Sequence, residues 1–368
     1  MREAEGVTMD EMTRRMAVST ISLTGMGVAM GEGVGGGRER RLGLVIHSLW
    51  HRWRGEYSSV KIPPLRTVLE VLDHCREEGF GGLQTTVGEW TLAEVKQIRE
   101  TLEGADLYLE GSVELPNDEG DVDRFEKEVR RAKEAGVKVF RSYLGGRRYE
   151  DMKSMADVKR YREVALRRLG WAEAGLRRMG VRLGVENHKD LRSEELVEVL
   201  RAVGSAHIGC CLDFGNNLAL LEAPEETMRE LGPYLVTTHV KDMAVRPSGE
   251  GFEMAEVPLG KGMLDLPGLM AACVAANPEV TFNLEMITRD PLKIPCLEAG
   301  YWKVMEGVSG EDLAGTLRMV RDRKAVELAR VGGRSKEAIC LWEAEQNAAC
   351  AAHAFARLGL SRTGTGGA

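Results

Sequence analysis

The hydrophobic pattern of the chain consists of short apolar runs that alternate with longer amphipathic stretches. Eight of these runs have the length of a β-strand, and a helical pattern or a helix-sized insertion follows each of them. Nearly continuous apolar runs are typical of parallel strands that are covered on both faces. The alternation therefore predicts an α/β protein with a closed (β/α)8 TIM barrel.

The predicted strands and helices form two similar halves. Strands are predicted over residues 42–47, 82–85, 107–111, 137–141, 182–186, 208–213, 235–239 and 280–285. Helices are predicted over residues 63–78, 92–102, 118–136, 155–179, 224–231 and 266–276, with another that begins near 193. Pro63 and Pro64 are expected to open the first helix and Gly79 to end it, and Ser193 is expected to be an N-cap.

Three regions follow from this division. Residues 1–40 are assigned to a leader, 41–330 to the barrel, and 331–368 to a C-terminal helix (335–358) and a disordered tail (361–368). Two insertions, at residues 245–263 and 288–308, follow the seventh and eighth strands and are expected to be loops. Long loops at the carboxyl edge of a barrel commonly form a substrate pocket or a subunit contact, so a homo-oligomer is a possible assembly.

Four of the predicted strands end in a residue that can bind a metal ion. These residues are Glu186, Asp213, His239 and Glu285. Taken singly, each acid is more often a solvated loop residue or a helix N-cap, and a single histidine is more often a hydrogen-bonded core residue. Because the carboxyl ends of parallel strands meet at one edge of a barrel, the four side chains together predict one metal site.

Composition limits the classes of fold and partner. With 368 residues and 43% hydrophobic content, the chain can form one barrel of about 250 residues with extensions. A net charge of -7 gives no electrostatic basis for binding nucleic acid, and no apolar run is long enough to predict a membrane span. Cys210 and Cys211 are neighbours in one predicted strand, so the seven cysteines indicate core thiols rather than a disulfide framework.

The leader contains a candidate export signal. Arg14 and Arg15 precede a mildly apolar stretch over residues 17–29, an order that resembles a twin-arginine signal. Export of an already folded protein to the periplasm would reconcile reduced cysteines with a location outside the cytoplasm. A disordered leader on a cytoplasmic protein is the alternative. The glycine-rich residues 31–37 precede every predicted strand, so they lack the context of a nucleotide-binding motif.

The segments around the four strand ends resemble a known family. They read Val185-Glu186-Asn187-His188, Leu212-Asp213-Phe214-Gly215-Asn216, Thr238-His239-Val240-Lys241-Asp242 and Asn283-Leu284-Glu285. These motifs are similar to those of the sugar phosphate isomerase/epimerase superfamily of xylose isomerase-like TIM barrels. The resemblance covers residues 42–323 and is most specific in the four motifs.

This resemblance implies one divalent ion, Mn2+, Mg2+, Co2+ or Zn2+, held by the four strand-end residues. Hard oxygen donors with one imidazole suit such ions. In the epimerase branch of the superfamily, two glutamates at the positions of Glu186 and Glu285 move a proton on opposite faces of a sugar carbon. The resemblance therefore implies that these two residues are the acid and base, and that the ion stabilises an enediolate.

Side chains near the four ligands are candidates for binding a small-molecule sugar substrate. They are Arg141, His188, Asn216 and Lys241. Ketose 3-epimerases generally have a histidine three residues after the aspartate ligand, where this chain has Asn216, so the contact to the substrate hydroxyl is expected to differ. Each of the other three could equally be a structural residue. Asp242 is a candidate for orienting His239.

The reaction implied by the resemblance is isomerisation or epimerisation of a keto sugar. A lyase or hydratase that acts on 3-keto sugars or 3-keto glycosides is an alternative, because the same ion and enolate serve both. A non-catalytic, metal-bound sugar-binding protein is a second alternative, against which the two candidate glutamates argue. Nuclease activity is rejected, because Gln84 and Glu110 stand where nucleases of the superfamily have extra histidine ligands.

Overall fold

The computed structural model describes residues 39–88 and 90–364. Eight parallel strands form the barrel: β1 (Leu42–Val45), β2 (Gly82–Thr86), β3 (Tyr108–Ser112), β4 (Val139–Ser142), β5 (Arg182–Glu186), β6 (Ile208–Asp213), β7 (Leu235–Val240) and β10 (Phe282–Leu284). Their order around the closed barrel is β1, β10, β7, β6, β5, β4, β3 and β2. The predicted (β/α)8 TIM barrel is therefore confirmed.

Helices surround the barrel and extend beyond it. They are α1 (Val68–Glu78), α2 (Leu92–Ala105), α3 (Val122–Glu134), α4 (Arg148–Asp151), α5 (Met155–Met179), α6 (Ser193–Val203), α7 (Pro224–Leu231), α8 (Leu266–Ala276), α9 (Ala299–Trp302), α10 (Gly310–Asp322) and α11 (Lys336–Arg357). Apolar side chains on these helices, such as Phe125 and Leu176, are fully buried in one core with strand residues such as Leu183. This core is what keeps the strand ends in a fixed arrangement.

The first helix begins later than the proline pair predicts. Pro63 and Pro64 precede the helix, and Thr67 is the N-cap of α1. The Thr67 side chain accepts a hydrogen bond from the backbone N–H of Glu70, and the Glu70 carboxylate accepts one from the N–H of Thr67. This reciprocal capping satisfies two free backbone donors, so the helix begins at the capping pair and not at the prolines. The helix ends at Gly79, whose φ of 83° suits glycine, as predicted.

The start of α6 also differs from the prediction. Ser193 is the first residue of this helix, and Arg192 occupies the N-cap position with an extended backbone. The Ser193 hydroxyl instead donates a hydrogen bond to Glu222 at 3.3 Å. The serine therefore ties the helix start to a neighbouring buried carboxylate instead of capping its own first turn.

The two segments predicted as loops contribute a second, antiparallel sheet. It consists of β8 (Asp242–Ser248), β9 (Gly251–Val257) and β11 (Leu292–Ile294), in the order β11, β9, β8. Met243 and Val245 on β8 and Phe252 and Met254 on β9 alternate with less buried positions, so the period of a strand was present in the sequence. Because β8 begins directly after β7, this sheet lies at the carboxyl end of the barrel.

The C-terminal helix packs against the segment that follows β1. In α11, the amide of Asn347 donates to the backbone carbonyl of Ser48 at 2.6 Å, and the buried carboxylate of Glu343 accepts from the backbone N–H of His51 at 2.7 Å. Residues 361–364, assigned to a disordered tail from the sequence, contact the barrel. Among them, the Thr363 hydroxyl donates to the backbone carbonyl of Phe80 at 2.8 Å.

The predicted leader lies almost wholly outside the described residues. Residues 1–38, which include the twin-arginine candidate, and residues 365–368 at the other end are not described. Within the described ranges, none of the helices combines the length and the apolar character needed to cross a bilayer.

Candidate metal centre

The four predicted ligands come together at the carboxyl end of the barrel. Glu186 ends β5, Asp213 ends β6, His239 lies near the end of β7, and Glu285 follows β10. These four strands are consecutive in the barrel, and all four side chains are buried. One ligand atom from each residue lies within 4.8 Å of the others, so the group could hold a single metal ion.

The imidazole of His239 is at the middle of this group. Its Nδ1 lies 3.4 Å from Oε1 of Glu285, 3.6 Å from Oε2 of Glu186 and 3.9 Å from Oδ2 of Asp213. The Nδ1 of His239 and the Oδ2 of Asp213 are buried and have no hydrogen-bond partner among the described residues. Leaving such atoms unsatisfied is costly unless a ligand binds them. Three carboxylates and one imidazole are a donor set that suits a divalent ion.

A chain of hydrogen bonds fixes which ring nitrogen of His239 is free. The Gln84 side-chain amide donates from Nε2 to Glu110 at 3.0 Å, so its carbonyl oxygen faces Nε2 of His239 at 2.6 Å. Because that oxygen can only accept, Nε2 of the imidazole carries a proton, and Nδ1 is the ring nitrogen that faces the other ligands.

The prediction that Asp242 orients His239 is wrong. The Asp242 carboxylate accepts hydrogen bonds from the backbone N–H groups of Met243, Gly260, Gly262 and Leu264. It therefore stabilises the loop between the second sheet and α8. Gln84, which sequence reasoning considered only as a departure from the nuclease pattern, contacts the histidine instead.

Two cationic side chains contact the ligands directly. The Arg141 guanidinium donates from Nε to Oε2 of Glu186 at 2.7 Å, with a second contact from the same group to that oxygen. The Lys241 ammonium donates to Oε2 of Glu285 at 2.5 Å. It also lies 2.6 Å from Oδ2 of Asp213, an ion pair that lacks the alignment of a hydrogen bond. These contacts offset the repulsion between the clustered carboxylates.

These charges give the three acids different pKa values. Burial acts to raise the pKa of Glu186 and of Glu285, but the neighbouring cations, Arg141 and Lys241, outweigh it and hold both pKa values well below the ordinary range. Burial raises the pKa of Asp213 to about 6, against the attraction of Lys241. At neutral pH all three carboxylates are therefore ionised, the form that binds a metal ion.

The other predicted substrate-binding residues occupy two different places. Asn216 lies in the centre, where its amide donates to Oε1 of Glu186 at 3.0 Å. His188 lies at the edge, where its Nδ1 is 2.9 Å from the backbone carbonyl of Gly146 and its ring packs against Tyr143. In the described part of the chain, His188 makes no hydrogen bond to the four ligands.

Sequence reasoning missed His47 and Lys189. The Nδ1 of His47 lies 3.0 Å from Oε1 of Glu285, and its side chain is 28% exposed, so it marks the side on which the centre reaches solvent. His47 had the same signal as the four ligands, since it follows the apolar run of the first strand. Lys189, which is buried, donates a hydrogen bond to Asn216 and has no comparable signal in the sequence.

A barrel with this cluster at its carboxyl end belongs to a defined class. Residues 72–308 match the family of xylose isomerase-like TIM barrels, and the chain belongs to that family. A relative, the 3-oxo-isoapionate decarboxylase of Pectobacterium atrosepticum, is 26% identical over 235 residues, which cover 62% of this chain and 78% of that protein.

Two solved structures share the fold. A D-psicose 3-epimerase, crystallised in the presence of D-fructose, has a TM-score of 0.54 at 16% identity and covers 87% of this chain and 99% of its own. The probable 3-DHS dehydratase AsbF of Bacillus anthracis has a TM-score of 0.51 at 14% identity and covers 72% of this chain and 97% of its own. At these identities the likeness concerns the fold alone.

Proposed function

We propose that the chain is a divalent-metal-dependent enzyme that isomerises or epimerises a keto sugar by proton transfer beside the carbonyl. The observation that carries this proposal is the buried group of three carboxylates and one imidazole, in which Nδ1 of His239 and Oδ2 of Asp213 have no hydrogen-bond partner among the described residues. A divalent ion held there would supply Lewis-acid polarisation of the substrate carbonyl.

Glu186 and Glu285 are the proposed acid and base. Both are ionised at neutral pH, so either can accept a proton from carbon, and both belong to the same buried group. Hydrogen bonds from Arg141 and Asn216 fix the orientation of the Glu186 carboxylate. His47 contacts the Glu285 carboxylate on its partly exposed side, which offers a route for a proton to or from solvent.

Exchange of substrate hydrogen in heavy water tests this function. The metal-loaded protein is incubated with a panel of ketoses and 3-keto sugars, and deuterium in the recovered sugars is located by NMR. We expect deuterium at one carbon beside the carbonyl, and loss of that exchange in the Glu285→Gln variant. Binding of a sugar from the panel without any exchange would contradict the proposal and favour a sugar-binding protein.

A lyase that removes carbon dioxide or water from a keto sugar acid is a second candidate. The similarity to a 3-oxo-isoapionate decarboxylase and the buried cations around the ligands support it. In a decarboxylation, the bond to the carboxylate breaks, its electron pair enters an enolate, and a proton returns to that carbon. Release of carbon dioxide from keto sugar acids, measured with a coupled assay, tests this candidate separately from hydrogen exchange.

A further inference from the structure

Lys189 has a buried ammonium group without an acidic partner. Its side chain is 2% exposed, and its Nζ donates a hydrogen bond to Oδ1 of Asn216. Among residues 39–88 and 90–364, no carboxylate lies within ion-pair distance of this nitrogen. An ammonium group has three N–H donors, so most of its hydrogen-bonding capacity is unused. A buried charge without a counter-ion is strongly destabilising.

The other lysine and arginine side chains of this region are paired. Lys241 contacts Asp213 and Glu285, and Arg289 contacts Glu256. The pKa of the unpaired Lys189 ammonium depends on these neighbouring charges. Burial lowers its pKa to about 8, and the positive charges of Lys241 and Arg289 contribute to this shift.

The ion pairs around the metal centre leave one cation without a partner. The cationic residues of this region are Arg141, Lys189, Lys241 and Arg289, and its carboxylates are Glu186, Asp213, Glu256 and Glu285. Arg141, Lys241 and Arg289 each pair with one or two of these carboxylates, which leaves Lys189 as the unpaired cation of the set among the described residues. An anionic group on a ligand would compensate for the buried charge of Lys189.

The position of Lys189 places its unpaired charge next to the metal centre. Asn216 accepts a hydrogen bond from Lys189 through Oδ1 and donates one to Oε1 of Glu186 through Nδ2. A single amide therefore separates the ammonium from a metal ligand. Lys189 is therefore one side chain away from the site proposed for the substrate carbonyl.

We propose that Lys189 binds a carboxylate of the substrate, so that the substrate class is a keto sugar acid rather than a neutral ketose. This inference rests on the proposed function, because it takes the four strand-end residues as the site of the reacting carbonyl. A carboxylate fits a single ammonium with its neighbouring amide, Asn216, whereas a phosphate would demand more donors than this position offers. A sugar phosphate is therefore a competing outcome of the test.

Binding of matched sugars to the metal-loaded protein tests this inference. The probes are 5-keto-D-gluconate and L-sorbose, which differ in having a carboxylate or a hydroxymethyl group far from the ketone. A second pair, D-fructose 6-phosphate and D-fructose, tests the phosphate. We expect calorimetry to show binding of 5-keto-D-gluconate about tenfold tighter than that of L-sorbose. The Lys189→Met variant should lose this preference and bind L-sorbose as the wild type does.

Stability supplies a second measurement that a structural lysine would not reproduce. Because Lys189 has no counter-ion, replacing it with methionine should leave the unfolding midpoint unchanged or raise it. The Lys96→Met variant, which alters an exposed lysine of α2, is the control and should keep the carboxylate preference.

Several results would overturn the inference. Equal affinity of wild type for the two keto sugars, no binding of either, or a preference for the phosphate would each overturn it. A Lys189→Met variant that keeps the carboxylate preference, or that unfolds at a clearly lower temperature, would do the same. None of these measurements requires turnover. A failed exchange experiment with a retained carboxylate preference would instead count against the proposed reaction.

Discussion

The barrel contains two buried polar layers that differ in how fully they are hydrogen-bonded. In the inner layer, the Glu110 carboxylate accepts hydrogen bonds from Gln84 at 3.0 Å, Thr237 at 2.8 Å and Asn283 at 3.1 Å, and another from Thr281. The outer layer consists of the carboxylates of Glu186, Asp213 and Glu285 around His239. Their oxygens lie 3.4 to 3.9 Å from Nδ1 of the imidazole, which has no hydrogen-bond partner among the described residues. The inner layer is complete as it stands, whereas the outer layer is a donor set that suits a divalent ion.

This difference shows which buried acids serve stability and which serve a ligand. Neutral donors satisfy Glu110, although burial still raises its pKa above the ordinary value. Clustered carboxylates repel one another, and the cationic side chains of Arg141 and Lys241 on their outer sides reduce that repulsion. A barrel that needed only a stable interior would be better served by the inner arrangement. Gln84 connects the layers, since it contacts both Glu110 and His239.

Removing one carboxylate from each layer should produce the largest contrast. We expect Glu285→Gln to lower the rate of hydrogen exchange by roughly a thousandfold, because it removes a proposed base and a metal ligand together. The matched variant Glu110→Gln keeps one carbonyl oxygen for the donors Gln84, Thr237 and Asn283, so its rate should stay within about tenfold of wild type. Similar losses in both variants would show that the layers are not functionally distinct.

Breaking the link between the layers should weaken metal binding. In Gln84→Leu, Nε2 of His239 loses its acceptor, so the imidazole no longer has a fixed tautomer. We expect the metal dissociation constant, measured by calorimetry, to rise by about 10- to 100-fold. The control is Thr85→Val on the same strand, because the Thr85 hydroxyl has no hydrogen-bond partner in the described ranges. Unchanged affinity in Gln84→Leu would contradict the assigned role of the amide.

Glu343 in α11 is a buried carboxylate outside the two layers, and its pKa is also shifted. It accepts hydrogen bonds from the backbone N–H groups of His51 and Arg52, yet burial raises its pKa to about 7 from an ordinary 4.5. The folded state therefore keeps a proton that the unfolded chain releases between these values. Stability from this group is complete below pH 4.5 and falls as the pH rises through 7, by about 3 kcal/mol in all.

The Glu343→Gln variant isolates this effect, because glutamine does not titrate. Denaturant unfolding between pH 5 and 8 should show the stability of the variant rising relative to wild type as the pH increases. Parallel curves for the two proteins would mean that Glu343 ionises normally in the folded state.

The smallest expected effect concerns one donor of the inner layer. Thr281→Val removes one hydroxyl from Glu110 without changing the shape of the side chain, and should cost about 1 kcal/mol of unfolding free energy. Metal affinity should not change, because the amide of Gln84 keeps its contact with Glu110. A measurable loss of metal affinity would indicate that the inner layer also positions the ligands.

The sequence was most informative about the site residues, because one rule about parallel strands was enough to predict them. Each of the four ligands follows or ends an apolar run, and closure of a parallel barrel is enough to bring such residues to one edge. His47 obeys the same rule. The start of α1 was misplaced because two signals competed, and the capping pair of Thr67 and Glu70 prevailed over the prolines.

Contacts between distant parts of the chain could not be predicted in this way. The bond between Gln84 and His239 crosses the barrel interior, and the role of Glu343 depends on where α11 docks. The unpaired state of Lys189 is a property of its surroundings, since a lysine after a strand is ordinarily solvated. Such features depend on strand register and helix docking, which hydrophobic periodicity does not determine.

The metal content of the purified protein tests the central claim most directly. Wild type and Asp213→Asn are purified without chelator, checked for folding by circular dichroism, and analysed by mass spectrometry for divalent metals. The account predicts close to one ion per chain in wild type and a clear loss in the variant, because the Asp213 carboxylate is one of the four proposed ligands. A folded wild type that binds no divalent ion, or a variant that binds it equally tightly, would contradict the account.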